Sequence, residues 1–311
     1  MRLAGLTNKR RTRAAAIMLA LWALFLLSAM VISWALDINT RLTISSIANR
    51  SLEAEAMACS GAEVALAIPS TAPPGSPALR GSFPPNQSYS VKITGESGRL
   101  NLKSILAVGA GDPSSPYLEV LRKYLEVKGV DLNERDLMID SLLDWVDPDN
   151  LVRINGAEDE AGYKPANGPL KTLDEIKRVR GWQEFTSRQD WDADFTLNST
   201  DARIDINSAS RDVLLALPGM NEGLADRFLQ LRHGPDGIEG TEDDVRFTLP
   251  EAQIALGFRP DQFNQLAQFI TDTSQVVRVV SVGKSGNASR TVRMVVFKQN
   301  NAIRLFSWKE L

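Results

Sequence analysis

Two acidic loops are the places in this chain where residue type and spacing suit metal-ion chemistry. In DPDNLVRINGAED, Asp147, Asp149, Glu158 and Asp159 flank an Asn-Gly pair. In HGPDGIEGTEDD, Asp236, Glu239, Glu242, Asp243 and Asp244 alternate with glycines that allow tight turns. Calcium takes six to eight oxygen ligands, carboxylate and carbonyl, so either loop has the right donors. Neither follows the alternating order of an EF-hand, and a solvated acidic loop with helix-capping aspartates is the competing account. Zinc is excluded as a structural metal, because Cys59 and His233 are the only residues of their types.

Other reactive types lack a context. His233 follows a helix end, where a cationic or capping role suffices. Gly283-Lys284-Ser285 resembles the end of a phosphate loop, but Arg278 stands where the first glycine belongs, and a hairpin turn is expected there. No serine or cysteine sits in a nucleophile motif, so the expectation is a protein that is not an enzyme. Cys59 also has no cysteine to pair with and reads as a small packing residue.

A nucleic-acid reading starts from INSASRDVLLALPGMNEGLADRFLQLR, a helix-hairpin-helix pattern whose hairpin can present backbone N–H groups to a phosphate. An earlier stretch, Leu173-Asp174-Glu175-Ile176 with Val179-Arg180-Gly181-Trp182, repeats its helix-then-glycine form. Asn221 replaces the usual second glycine, however, and Glu222 puts negative charge at the phosphate position. Nucleic acid is therefore the weaker reading, a membrane-anchored, competence-type DNA-binding protein, and a helical packing module the stronger. Trp145, Trp182 and Trp191 lie in the same region, as core or as interface anchors.

The elements that would carry these loops begin with Ala14 to Leu36, an uncharged apolar run long enough for a bilayer at ~1.5 Å per residue. Arg2, Lys9, Arg10, Arg11 and Arg13 precede it and no acid appears before Asp37, which predicts a cytoplasmic N-terminus and an exported remainder. A cleaved signal peptide fits less well, since the run is long and no small-x-small site in a turn follows. Five of the 35 Lys and Arg lie before the span, leaving 30 against 38 Asp and Glu, a formal charge of −8 for residues 37–311. Such a balance disfavours a phosphate-backbone partner. Helical spacing of Ile44, Ala48, Leu52, Ala56, Cys59, Ala62 and Leu66 predicts that the helix continues to about Ile68, although Glu55 falls on the same stripe and spoils a clean amphipathic face.

Six prolines between Pro69 and Pro85 mark a connector. Ser88 to Thr94 alternates as a strand, and Val276 to Val282, Thr291 to Phe297 and Ala302 to Trp308 form an antiparallel meander with turns at Lys284 to Asn287 and Gln299 to Asn301. Between them, helical patterns occupy Leu118 to Lys128, Glu134 to Val146, Leu173 to Val179, Arg211 to Leu217, Asn221 to Arg232 and Pro260 to Phe269. The chain thus divides into a basic leader (1–13), a membrane-spanning and exported helix (14–68), a connector with the first strand (69–102), an inserted helical domain (103–272) and closing strands (273–311). The small sheet must cover one face, and the exported half of the helix supplies it.

This plan resembles the type IV pilin fold of pseudopilins. GESGRLNLKSIL, LLDWVDPDN, NGAEDEAGYKPANGPLKTLDEIKRVRGW and IDINSAS, in this order, resemble the minor pseudopilin K family of type II secretion. The resemblance implies an α+β fold, a long N-terminal transmembrane helix packed on a small antiparallel sheet, with a large mostly α-helical insertion containing a helix-hairpin-helix, SAM-like module. It also implies a single-pass bacterial inner-membrane protein with a periplasmic C-terminal region, acting at the pseudopilus tip. Its partners would be the minor pseudopilins I and J, the major pseudopilin, prepilin peptidase and the inner-membrane assembly platform. Calcium in the inserted domain is a further implication, and DGIEGTEDD is similar to the calcium loop of major pseudopilins. Prepilin-peptidase processing would fall at Ala14 and Ala15, although the glycine that normally precedes the cut is replaced by Arg13. The first glutamate is Glu53, in keeping with a family that lacks the early glutamate of most pilins.

Overall fold

The computed structural model describes residues 4–68, 75–160, 162–299 and 302–311. Arg2, the first part of the proline-rich connector and the Asn300-Asn301 turn lie outside the described residues.

A single helix, α1 (Ala4–Ala67), runs for 64 residues without a break, on the order of 95 Å at the usual rise. From Ala15 to Leu36 its residues are exposed along their whole length, and it is long and apolar enough to cross a membrane. A helix that is apolar on every side has no preferred face in water, and lipid resolves that. Beyond the span, residues 54–65 of α1 lie against a five-stranded antiparallel sheet in the order β1 (Arg80–Phe83), β2 (Gln87–Gly95), β7 (Val276–Ser285), β8 (Ala288–Gln299) and β9 (Ala302–Glu310).

The buried face of α1 keeps only the far part of the spaced stripe, Ala62 with the half-buried Cys59 and Leu66. Ala58, Ala62 and Ala65 are buried against Val279, Val292, Met294 and Val296, and Ala54 is buried beside Gly283, while Leu52 is 63% exposed. The physical reason is proximity. A Cβ on Gly61 would overlap Ser281 Oγ, and one on Gly283 would overlap the backbone of Ala54 and Ala58. The helix lies almost backbone to backbone on β7, so the centre of its contact face consists of the smallest residues, with Leu66 half-buried beside it and Leu52 turned away. Polar contacts fix the register at both ends. Ser285 Oγ donates to Glu53 Oε2 at 2.6 Å and Arg290 Nε to Ser51 Oγ at 2.8 Å at the end nearer the span. At the far end Lys298 Nζ donates to the carbonyls of Ala65, Leu66 and Ile68, the last of which have no partner in the next turn of helix.

Between Gly95 and Val276 the chain leaves the sheet at that far end, since Gly95 pairs with Val277 and Val277 packs against the upper alanines of α1. The insertion holds β3 (Leu100–Asn101), α2 (Leu102–Gly111), α3 (Pro116–Val127), α4 (Leu132–Val146), α5 (Gln183–Ser187), β4 (Phe195–Thr196) and β5 (Ile204–Asp205). It continues through α6 (Arg211–Ala216), α7 (Glu222–Arg232), α8 (Leu249–Leu256), α9 (Pro260–Ala267) and β6 (Ile270–Thr271). One core joins them. Trp182 is fully buried, its Nε1 donating to Met138 O at 2.8 Å, and Phe195 meets Tyr124 edge-on at 5.2 Å. Trp145 is also core, and the half-buried Trp191 packs against that core beside Phe195, so all three tryptophans serve packing. Leu173–Arg178 is a 3-10 turn rather than an α-helix, because Val179 leaves helical backbone to bury its side chain and Gly181, at φ +84, turns the chain.

Candidate functional site

The first acidic loop follows α4 directly. The last turn of the helix points Asp144 inward with no exposure, and Asp147 at the C-cap is 6% exposed. Here the loop wraps back, so that Glu158, 3% exposed, comes into the same field. Neither Glu158 oxygen has a hydrogen-bond partner, and Asp147 Oδ1 and Asn167 Oδ1 also stand buried without one. Burial first, then the charges of Asp144, Asp147 and Asp149, push the Glu158 carboxyl above the usual carboxylate range. An acid with a raised folded pKa holds its proton more tightly in the folded chain, so without a cation this group costs stability as pH rises through its pKa.

The structure brings together only part of the predicted set. Asp149 is exposed and turns the loop by accepting from Leu151 N at 2.8 Å, and Asp159 faces solvent. Asp144 joins the cluster without having been expected, and Asn167 lies against the same loop at Asp149 and Asn150. Asp144 belongs to helical spacing in DSLLDWV, three residues before Asp147 and hence on the same face of α4, which is the signal that points to it. Asn167 sits in left-handed backbone at φ +46 and donates through Nδ2 to Asp149 O and Asn150 Oδ1. Gly156 is required where it is, since a Cβ there would overlap Asp144 Oδ2.

These donors fit a hard, oxygen-seeking cation. They are carboxylate and amide oxygens, four of them buried and unpartnered, and three buried carboxylates face one neutralising group, Arg153. Among the described residues no three acidic, His or Cys side chains are already gathered into a metal-binding arrangement.

The second loop uses its carboxylates on itself. Asp236 Oδ1 accepts from Ile238 N at 2.7 Å, Asp243 Oδ2 from Asp236 N at 3.1 Å, and Asp244 Oδ2 from Gly240 N at 2.7 Å. Hydrogen bonds from Thr241 and from the Asp236 amide hold the Asp243 carboxyl below its ordinary range. Glu239 leaves the loop to pair with Lys92 on β2 at 2.7 Å, and Glu242 is exposed. Asp244 Oδ1 alone is buried and unpartnered. This second set is a turn framework with one spare oxygen, a poorer fit to a cation than the first.

The hairpin between α6 and α7 turns at Gly219, φ +78, and Asn221 caps α7 through Leu224 N. Arg211 at the start of α6 is committed to Asp226 at 2.6 Å, and Glu222 opens α7 with a negative charge. The buried Arg232 donates to Ile206 O and Ala209 O, which ties α7 to the segment after β5. His233 caps α7, its N–H donating to Leu229 O. These groups hold the module together internally.

Basic residues on the outer face of the sheet are matched by acids of the insertion. Arg278 of β7 grips Glu96 through two bonds, Nε to Oε2 at 2.8 Å and Nη2 to Oε1 at 2.7 Å, and Glu96 has no exposure. Thr196 of β4 adds a third bond to Glu96 Oε1 at 2.6 Å. Burial and the nearby Arg278 charge bring the Arg99 guanidinium down to about 10. Arg293 of β8 faces Asp192 at 3.6 Å, and Lys92 faces Glu239. The sheet and insertion are thereby fixed to one another by charge as well as by packing.

With this geometry established, the comparisons with known proteins are specific. Residues 98–189 match the family model of the type II secretion system, protein K; this stretch runs from the turn after Glu96 to beyond α5 and includes the first acidic loop. The type II secretion system protein K of Dickeya chrysanthemi is 27% identical over 181 residues, 54% of this chain and 51% of that protein. The chain thus spans about half the length of the curated relative it matches. A chain in the crystal structure of the GspK–GspI–GspJ complex from the enterotoxigenic Escherichia coli type 2 secretion system shares the fold, with a TM-score of 0.54 at 16% identity, covering 88% of this chain and 99% of that one.

Proposed function

Because this chain belongs to the type II secretion protein K family of minor pseudopilins, we propose that it acts without catalysis at the tip of the pseudopilus, where it initiates or caps filament assembly for protein export across the outer membrane. The observation that carries this reading is the placement of the insertion. It rises from the end of the sheet farthest from the membrane-spanning part of α1, where it would stand above a filament rather than within it. Absence of any glutamate before Glu53 supports the same place. An acid near the start of the apolar run would be costly in lipid without an amine ahead of it to pair with, and a subunit at the top has no such neighbour.

In this reading α1 anchors the protein in the inner membrane, N-terminus in the cytoplasm and the rest in the periplasm, until it packs beside the helices of the minor pseudopilins I and J and the major pseudopilin. Prepilin peptidase would cut at Ala14 or Ala15, ahead of delivery to the inner-membrane assembly platform. Mass spectrometry of the N-terminus from cells expressing the peptidase tests this. Cleavage and methylation at Ala14 or Ala15 are expected, and a chain that still begins at Met1 would favour a plain membrane anchor.

Calcium is proposed as a structural ion. Asp144, Asp147, Glu158 and the Asn167 amide oxygen would hold it at the first loop, and the dication would supply the charge that the buried carboxylates lack. Asp236, Asp243 and Asp244 offer a weaker second place, and Asp149, Asp159 and Glu239 lie at the margins. Millimolar calcium should raise the melting temperature, by mass action on the folded state, and Glu158→Gln should remove most of that rise. Identical melting curves in calcium and in chelator would refute it.

A further inference from the structure

The first acidic loop carries a cation of its own. Arg153 Nη1 donates to Asp144 Oδ1 at 2.5 Å and also to Asp147 Oδ2, while Arg153 N donates to Asp144 Oδ2 at 3.3 Å. One guanidinium nitrogen therefore bridges the two carboxylates that close α4. It does not satisfy the third, since both oxygens of the buried Glu158 remain without a partner beside it. The segment that delivers Arg153 makes little contact of its own. Leu151 is 76% exposed, Val152 60% and Ile154 99%, so this apolar stretch is held by Arg153 and, just beyond it, by Asn155, whose N and Nδ2 donate to Asp140 Oδ2 at 3.2 and 3.1 Å.

We propose that Arg153 is a built-in competitor for the metal, so that the guanidinium and a divalent, oxygen-seeking cation take the same seat between Asp144 and Asp147, and uptake of the cation expels Arg153 to solvent. The inference rests on the calcium reading of this loop. Its basis is charge and donor count. A dication and a guanidinium cannot both sit in contact with the same two carboxylates without strong mutual repulsion. The dication also has the advantage that it can accept the Glu158 oxygens as ligands, which the planar guanidinium leaves unused. Gly156 stands against Asp144 with no side chain, so the return half of the loop can shift without dragging a Cβ through the cluster. Expulsion of Arg153 leaves Leu151, Val152 and Ile154 held only at the Asn155 end, by Asp140, which couples cation uptake to the shape of an exposed apolar segment.

The test is calcium titration by calorimetry on the full-length chain in detergent after chelator treatment, comparing the native protein with Arg153→Gln, Arg153→Lys and Asp147→Asn. Arg153→Gln should bind calcium about tenfold more tightly, the scale expected when one unit charge is removed from a neighbouring site, with Arg153→Lys between it and the native protein. Trypsin supplies a second reading on the native chain, where cleavage after Arg153 should be faster in calcium than in chelator. Unchanged or weaker affinity in Arg153→Gln, or trypsin cleavage at Arg153 that is unaffected or slowed by calcium, would overturn the proposal and make Arg153 a support for the site. Absence of calcium uptake by the native protein and by Arg153→Gln alike would overturn the calcium reading and this inference with it.

Discussion

Replacing Glu96 by Gln should lower the stability of the folded chain by about 3–5 kcal/mol, the usual loss when one partner of a buried ion pair is removed and the other charge stays buried. Glu96 is fully buried and receives Arg278 through two bonds, Thr196 through a third and Arg99 at 3.3 Å. Glutamine keeps the shape but presents an amide donor where an oxygen now accepts, and it leaves Arg278 without its counter-charge and Arg99 with Asp194 as its remaining acidic neighbour. The loss should be concentrated where β7 meets the insertion, because Arg278 belongs to the sheet and Thr196 to the insertion. Thermal melting followed by hydrogen exchange checks both parts. A general drop in protection without early opening of Gly95–Asn101 and β4 would place the joint elsewhere. Double replacement, Glu96→Leu with Arg278→Met, should recover much of the loss, since the desolvation cost goes with both charges.

Gly283→Val should separate α1 from the sheet. A side chain at Gly283 has no room, because its Cβ would overlap Ala54 O and Ala58 N, which are helix backbone and cannot move aside as a side-chain tip can. Over-packing of this kind costs about 3 kcal/mol at the upper end. Here it falls on a small core of Ala58, Ala62, Ala65, Val279, Val292, Met294 and Val296 that has little else to hold it. Valine at 283 should therefore make α1 sensitive to protease between Glu53 and Ala65 while the insertion stays folded, and should abolish secretion in a complementation assay. Gly111→Ala is the control, since nothing lies within 4 Å of its Cβ position. Full secretion by Gly283→Val would show that close seating of α1 on β7 is not needed.

Much of this was legible from the residues. The charge-free run, the alternation around Val91 and the β-branched runs after Val276 are local signals whose period is set by one element, and the strands formed within a few residues of the expected limits. β1 was missed because Arg80-Gly81-Ser82-Phe83 carries no alternation; it pairs only because the turn after Phe83 returns the chain to β2. The buried face of α1 is hard to read from the residues for a related reason. Spacing identifies large apolar residues, whereas the centre of this contact depends on Gly61, Gly283 and alanines whose role is to be small. In the first acidic loop Asp147 and Glu158 could be picked out as acids near glycines. Asp144 reads as one more helix residue until α4 is known to be covered on that side. Arg153 lies in the sequence between the acids it bridges, and only the returning loop shows that it is aimed inward.

The claim that this chain is a tip subunit rests most directly on its neighbours along α1. Cysteine-specific cross-linking in membranes from cells making the full type II apparatus, with Cys59→Ser and a single new cysteine at Leu52 on the exposed side of the helix, reads those neighbours. The account predicts cross-links to the minor pseudopilins I and J and, from a cysteine placed in the insertion at Ile254, which is 78% exposed, none to the major pseudopilin. Cross-links from Ile254 to the major pseudopilin at the level seen from Leu52 would put subunits above this one and contradict a place at the tip.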